Sequence, residues 1–274
     1  SAIEFSFEKQ SGAGVSSITN SELRDRNTNR GPFYTDDIPH SLIRSFEKIR
    51  KELPDLKVVE IPVGDKNLIS ILQKLQKIRW QHQGFLMSLI KEIGFDPSDK
   101  SYSEKIPLSQ LGISKIESLI FKSIGRKPEW AIYLLRMGFY LLPVRKSVLT
   151  FANESSRIYF IQAPQFDFKS AFHLGVCLQD LWLHAQAEKI SFQPCGDALV
   201  ALAYWQKSNE NLFSSSQVKE IQEASELFKK NFGLDLRFPV MGFRIGFPKV
   251  ASAAGVRKEV RIESLIGMIR SFIL

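Results

Sequence analysis

Cysteine is scarce in this sequence: Cys177 and Cys195 are the only two in 274 residues. That excludes a disulfide-dense secreted scaffold and predicts a reducing, cytoplasmic setting. Histidine is nearly as rare. His40, His82, His173 and His184 have no metal-ligand spacing, and neither cysteine is spaced to pair with a ligand on a helix, so no metal site is expected. His184 and Glu188 would share a helix face, which reads as a surface contact. Long apolar runs are missing too. The most apolar stretch, "WAIYLLRMGFYLLPV" (130–144), is interrupted by Arg136 and nearly closed by Pro143. It falls short of the about 20 residues that a bilayer-spanning helix needs. It reads instead as a buried or lid-like helix, and no membrane is expected among the partners. There is no internal repeat and no aromatic-basic signature of a nucleic-acid module. The net charge of +8 and pI of about 9.4 attract anions of every kind. The lysines and arginines are spread along the chain rather than blocked, so nucleic acid ranks last as a partner.

What is present suffices for a real core: 44% of the residues are hydrophobic. Residues 1–20, rich in serine and glycine, read as an entry arm, and residues 21–274 as the folded domain. The stretch "TDDIPHSLIRSFEKIRKELPD" reads as a helix, with Asp37 as its cap and Pro39 in its first turn. Its apolar face is Ile38, Leu42, Phe46, Ile49 and Leu53. "LKVVEIPV" (56–63) reads as a short strand. One long helix is expected from Asp65 to Ile93, and further helices at 113–124, 128–142, about 197–207 and about 216–231. "SVLTFA" (147–152), "RIYFIQA" (157–163) and "PVMGFRIGFP" (239–248) read as strands. The segment 168–189 is apolar nearly all round in its middle, which predicts a central helix. Helices dominate and strands are few, so the fold class is α+β, a small mixed sheet surrounded by helices.

Three pieces could carry chemistry. In "SELRDRNTNRGPF" (21–33), Arg26, Thr28 and Arg30 alternate. On an extended segment they point one way, and forked guanidinium donors suit a phosphate. A solvated charged turn is the alternative. In "ISFQPCGDAL" (190–199), Pro194 and Gly196 shape a loop whose amides can face a ligand; a plain helix-to-helix turn is the alternative. Cys195 has no base placed near it by the sequence, so no catalytic thiol is expected. In "GFRIGFPKVASAAGVRKEV" (242–260), a strand runs into a small-residue loop closed by Arg257 and Lys258. That basic turn could equally be solvated.

In this order and at these distances the three pieces resemble the nitroreductase family of flavin mononucleotide (FMN) proteins. "RDRNTNRGPF" is similar to the family's early Arg-x-Ser/Thr-x-Arg motif, in the form of the Acg-like branch. "FHLGVCLQDLWLHAQAEKISFQPCGDAL" resembles the central helix and the Pro-x-Gly loop after it. "MGFRIGFPKVASAAGVRKEV" resembles the closing segment, with Val256-Arg257-Lys258 for Pro-Arg-Arg.

The resemblance covers roughly residues 20–270. It implies that Arg26, Asn27, Thr28 and Arg30 contact the flavin phosphate, ribityl chain or ring edge. It further implies that Pro194 shapes a cofactor-binding loop whose backbone amides near Cys195 and Gly196 face the ring, and that Arg257 and Lys258 hold the phosphate. It implies hydride transfer from NAD(P)H through FMN to a nitroaromatic or quinone-type acceptor, with no protein acid or base required. Where ordinary members carry a flavin-contacting asparagine loop, this chain reads "SFEKIRKELPDLKVVEIPV". That matches the second half of the two-half Acg-like proteins, or a domain fused to an adenylation domain, and a start at Ser1 fits an excised piece. A homodimer could complete the site, with 113–145 as a lid or an arm across the partner. The alternative is a module of this fold that no longer catalyses and that binds or sequesters flavin or docks a partner.

Overall fold

The computed structural model describes residues 26–99, 102, 105–127, 130, 133–134, 137–196, 199, 202–203, 205 and 212–250. The N-terminal arm and the basic pair Arg257 and Lys258 lie outside them.

A four-stranded sheet is sandwiched between helices. Its strands are β1 (Lys57–Ile61), β4 (Arg157–Gln162), β6 (Val240–Gly246) and β5 (Ser191–Pro194), in the spatial order β1-β4-β6-β5 and antiparallel throughout. A separate parallel pair joins β2 (Ile93–Gly94) to β3 (Ile106–Pro107). The residues that alternate along β4 explain the layering. Ile158 and Phe160 face one core, and Tyr159 and Ile161 the other. On the first face lie α2 (Lys66–Gln81), α5 (Leu141–Asn153) and α7 (Ser215–Phe232). On the second lie α1 (His40–Glu52) and α6 (Phe168–Ala187), which also pack on each other. The remaining helices are α3 (Gln83–Glu92) and α4 (Lys115–Arg126). No described helix is long and apolar enough to cross a membrane.

Several expectations are corrected. The helix read as starting near Asp37 begins at His40, with Pro39 at the N-cap position and no side-chain cap. The single helix expected over 65–93 is two. His82 adopts an extended conformation (φ −82°, ψ 112°), its ring Nδ1 accepts the Phe85 amide at 3.3 Å, and its Nε2 lies 2.8 Å from the Leu212 carbonyl. A side chain that can cap thus ends one helix and starts the next. The stretch 147–152, read as a strand, is helical. Val144, Val148, Phe151 and Ala152 fall at three-to-four spacing and are all buried, so the helical stripe outweighs β-branched propensity. Pro143 sits in the first turn of α5, where its missing N–H is harmless. At the end of the stretch expected to be helical over 128–142, residues 137–140 form a turn, with Gly138 at φ +81°. The loop expected at 190–199 begins as the strand β5.

The central helix also differs. In α6, Leu174, Cys177, Leu181 and Ala185 are buried against the sheet, but Phe168, Phe172 and Val176 face solvent. Its apolar surface is wider than the sheet covers.

Candidate functional site

The arginine motif lies along the open edge of β5. Thr28 bridges Phe192 in parallel, and the Asn29 amide donates to the Phe192 carbonyl at 3.4 Å. This isolated bridge is parallel, whereas the four strands pair antiparallel. Because the segment runs with β5, its Arg30 end lies toward Pro194, Cys195 and Gly196. Further on, Phe33 bridges Pro248, the Tyr34 amide donates to the Phe247 carbonyl at 2.8 Å, and the Lys249 amide donates to the Pro32 carbonyl at 3.0 Å.

Asn29 joins all three pieces. It is buried, and its Nδ2 donates to Ser191 Oγ at 3.2 Å and to the Val250 carbonyl at 3.1 Å, while its Oδ1 accepts the Gly31 amide at 2.9 Å. The early motif, β5 and the start of the closing segment therefore meet at one side chain. Arg257 and Lys258 follow that segment beyond the described residues.

The cations of the motif have separate settings. The Arg26 guanidinium lies over the Trp182 ring, 4.2 Å from its centroid, and Trp182 Nε1 donates to the Asn27 carbonyl at 3.2 Å. Trp182 in turn stacks on Phe192 at 5.0 Å. Arg30 donates from Nη1 to the Gln110 carbonyl at 3.0 Å, which ties the motif to the turn Leu108–Gln110. Gly112, at φ +66°, lets this turn come close: a Cβ there would sit 3.0 Å from the Arg30 carbonyl oxygen.

The Cys195 amide is already used. It donates to the Gly242 carbonyl at 2.6 Å, continuing the β5–β6 pairing, and its side chain packs in the core. The ring-facing amide expected at Cys195 is thus committed to the sheet. Among the described residues, and leaving aside its chain neighbours, no heavy atom lies within 4 Å of where a Cβ of the neighbouring Gly196 would stand. Two guanidiniums and a threonine hydroxyl on one segment, running toward an open glycine, form a donor set whose chemistry fits a phosphorylated ligand.

The sequence reading missed Arg244, the residue that holds this corner together. It is fully buried on β6. Its Nε donates to Gln193 Oε1 (2.6 Å), its Nη1 to the carbonyls of Thr150 (2.9 Å) and Glu154 (2.7 Å), and its Nη2 to the Gly31 carbonyl (2.6 Å). The guanidinium also lies over the Phe33 ring at 4.0 Å. The Thr150 and Glu154 carbonyls belong to the C-terminal end of α5, where the helix dipole favours a cation. Burial pushes the guanidinium down to about 9, so it stays charged at neutral pH. A lone arginine inside the apolar run "VMGFRIGF" was the available signal.

A sizeable cavity lies elsewhere. It is an open groove of about 840 Å³ between the end of α1 and β1, lined by Arg50, Lys51, Asp55 and Lys57 among others.

No protein-family profile and no curated protein sequence matches the chain. Similar solved structures include a nitroreductase with bound FMN from Desulfitobacterium hafniense, at 12% identity and a TM-score of 0.44, over 90% of this chain and 98% of that one. An FMN-dependent nitroreductase from Mycobacterium smegmatis in complex with NADPH aligns at 12% identity and a TM-score of 0.39, over 89% and 94%. An FMN-dependent nitroreductase from Clostridium difficile aligns at 12% identity and a TM-score of 0.42, over 88% and 96%.

Proposed function

We propose that this chain is an FMN-binding, nitroreductase-like oxidoreductase that passes hydride from NAD(P)H by way of the flavin to a small nitroaromatic or quinone-type acceptor. The observation that carries the reading is the convergence at Asn29 of three motifs far apart in sequence. FMN, when bound, supplies the hydride chemistry. Arg26, Thr28 and Arg30 would bind its phosphate and ribityl oxygens, with Asn27 held beside them by Trp182. Pro194 and Gly196 would border the ring, and positive charge beside it would favour the reduced, anionic form. Arg257 and Lys258 would complete the phosphate site. Consistent with a reducing cytoplasm, Cys177 and Cys195 are both buried and not bonded to each other. Burial pushes the Cys177 thiol up to about 12.

The chain would act as the second half of a two-half protein or as a homodimer. Support for the dimer is the uncovered face of α6. There Phe168 and Phe172 stack at 6.3 Å, beside Val176, in a stretch (166–183) with one lysine against two aspartates. A self-contact there would bring little like charge together.

A second reading has its own support. Arg26 lies on an indole, Arg30 on a carbonyl and the Cys195 amide on Gly242. Groups already engaged inside the protein suit a module that binds flavin or a partner without turnover.

A visible absorption spectrum of the purified protein, with and without added FMN, tests both. Retained flavin, reduced by NAD(P)H and reoxidised by an acceptor, is the result expected of the enzyme. Arg26→Ala should weaken FMN retention by about tenfold or more, the loss of one charge-assisted contact. Retained flavin without NAD(P)H oxidation would establish the second reading. Protein that stays colourless and cannot be loaded would sink the oxidoreductase and leave only the partner-docking form of the second reading.

A further inference from the structure

We infer that the flank built from α4, the turn before α5 and the start of α5 is a docking surface for an anionic lipid bilayer, on which the protein lies without crossing it. The flank is apolar where a soluble protein is normally polar. Ile116 (72% exposed), Leu119 (65%) and Ile120 (50%) form one outward stripe of α4, and no residue of that helix is fully buried. Trp130, Tyr133, Met137, Phe139, Leu141 and Leu142 add further exposed side chains. An exposed surface of this kind marks an interaction site.

The two helices present their stripes together. Lys146 Nζ on α5 meets both Glu117 carboxylate oxygens on α4, at 2.9 and 2.7 Å. Ile120 lies one turn on from Glu117, and Leu142 one turn back from Lys146, so both flank the same ion pair. On the adjoining face of α4, Ile124 packs toward Leu86 and Ile90, and Phe121 meets Trp80 edge-on at 6.5 Å, which seats the helix on the body. The outward stripe is thus surplus to the fold.

Charge decides the occupant. Residues 115–146 hold seven lysines and arginines against two glutamates. Lys115, Lys122, Arg126, Lys127, Arg145 and Lys146 are all exposed around the apolar stripe. A two-fold contact between copies of this flank would press like charges together, and interface cores are depleted in lysine. An anionic membrane removes that conflict. The basic ring meets the headgroups, the aliphatic stripe enters the acyl boundary, and Trp130 and Tyr133 sit at the level such side chains prefer. The inference uses none of the residues proposed to hold the flavin, so it stands whether or not the chain binds one.

The test is co-sedimentation of the 274-residue chain with vesicles of phosphatidylcholine alone or with about one-third phosphatidylglycerol, a surface that attracts basic segments. The expected result is binding to the anionic vesicles only, weakened by salt. The Leu119→Ser/Leu142→Ser variant keeps every charge and removes only exposed apolar groups, and it should bind at least about tenfold more weakly. Lys122→Glu/Arg126→Glu should do the same. Tryptophan emission should shift to the blue on vesicle addition in the wild type and lose that part of the shift in Trp130→Phe. Failure to sediment with anionic vesicles at low salt would overturn the inference. So would Leu119→Ser/Leu142→Ser binding as well as wild type, since the charge of the whole protein would then suffice. A concentration-dependent dimer abolished by Leu119→Ser/Leu142→Ser would also overturn it, by assigning the flank to a second copy.

Discussion

The corner around Arg244 and the flank formed by α4 and the start of α5 resolve opposite problems. At the corner a full positive charge is buried, and three backbone carbonyls and the Gln193 side-chain oxygen accept from its nitrogens. At the flank, apolar side chains stand in water, ringed by cations. The corner shows that burying a charge is tolerable when its acceptors are fixed beforehand by a sheet and a helix end. The flank shows the reverse. Nothing inside the described fold covers that surface, so its composition answers to something outside.

Substitutions can break that contrast, and the largest effect is expected at Arg244. Arg244→Ala removes one donor from each of four acceptors and leaves a void beside Phe33. It should cost about 3–5 kcal/mol in chemical denaturation. Arg244→Lys should recover only part, because an ammonium on a flexible stem cannot match the planar fork. Next comes Gly242, whose added Cβ would stand 2.5 Å from Phe160 Cε1. Gly242→Ala should destabilise by about 1–3 kcal/mol through overpacking and lower the melting temperature accordingly. Asn29→Ala removes the link between the three motifs and should cost about 1–2 kcal/mol, with weaker protection of the residue 26–34 amides in hydrogen exchange.

The smallest effect sharpens the flank. Glu117→Gln loosens an exposed pair and should change stability by no more than about 1 kcal/mol. Hydrogen bonding from Lys146 holds the Glu117 carboxyl down at about 2, from an ordinary value of 4.5. A depressed acid contributes stability that is fully present above its unfolded value and is lost as pH falls through the folded one. The wild-type advantage over Glu117→Gln should therefore be constant above about pH 4.5 and fade between there and about pH 2. A difference that instead grew on acidification would contradict this pairing.

Much of the architecture was legible. The apolar repeat of α1, the β-rich alternation of β1 and β4 and the helix at 215–232 all follow from spacing. What escaped depends on partners remote in sequence. The strand reading of 147–152 took β-branched residues at face value, although Val144, Val148 and Phe151 carry a helical spacing that α2 rewards with burial. β5 is only four residues long and makes sense as a strand beside β6 alone. At the site, the motif lies against β5, yet alternation did not foretell that Arg26 and Arg30 would meet an indole and a carbonyl. Arg244 looked like an interruption in an apolar run, because nothing local reveals that Gly31, Thr150, Glu154 and Gln193 all converge on it.

Asn29 bonds to partners 162 and 221 positions further along the chain. A ribosome making this protein from its amino end therefore releases the arginine-bearing segment long before anything exists for it to dock on. That segment must wait as loose chain until β5, and then the strand leading to Val250, have emerged. The closure of this edge has to wait for about 220 further residues and is of slow, non-local character. A polypeptide halted before residue 190 would carry the complete motif with no edge to hold it.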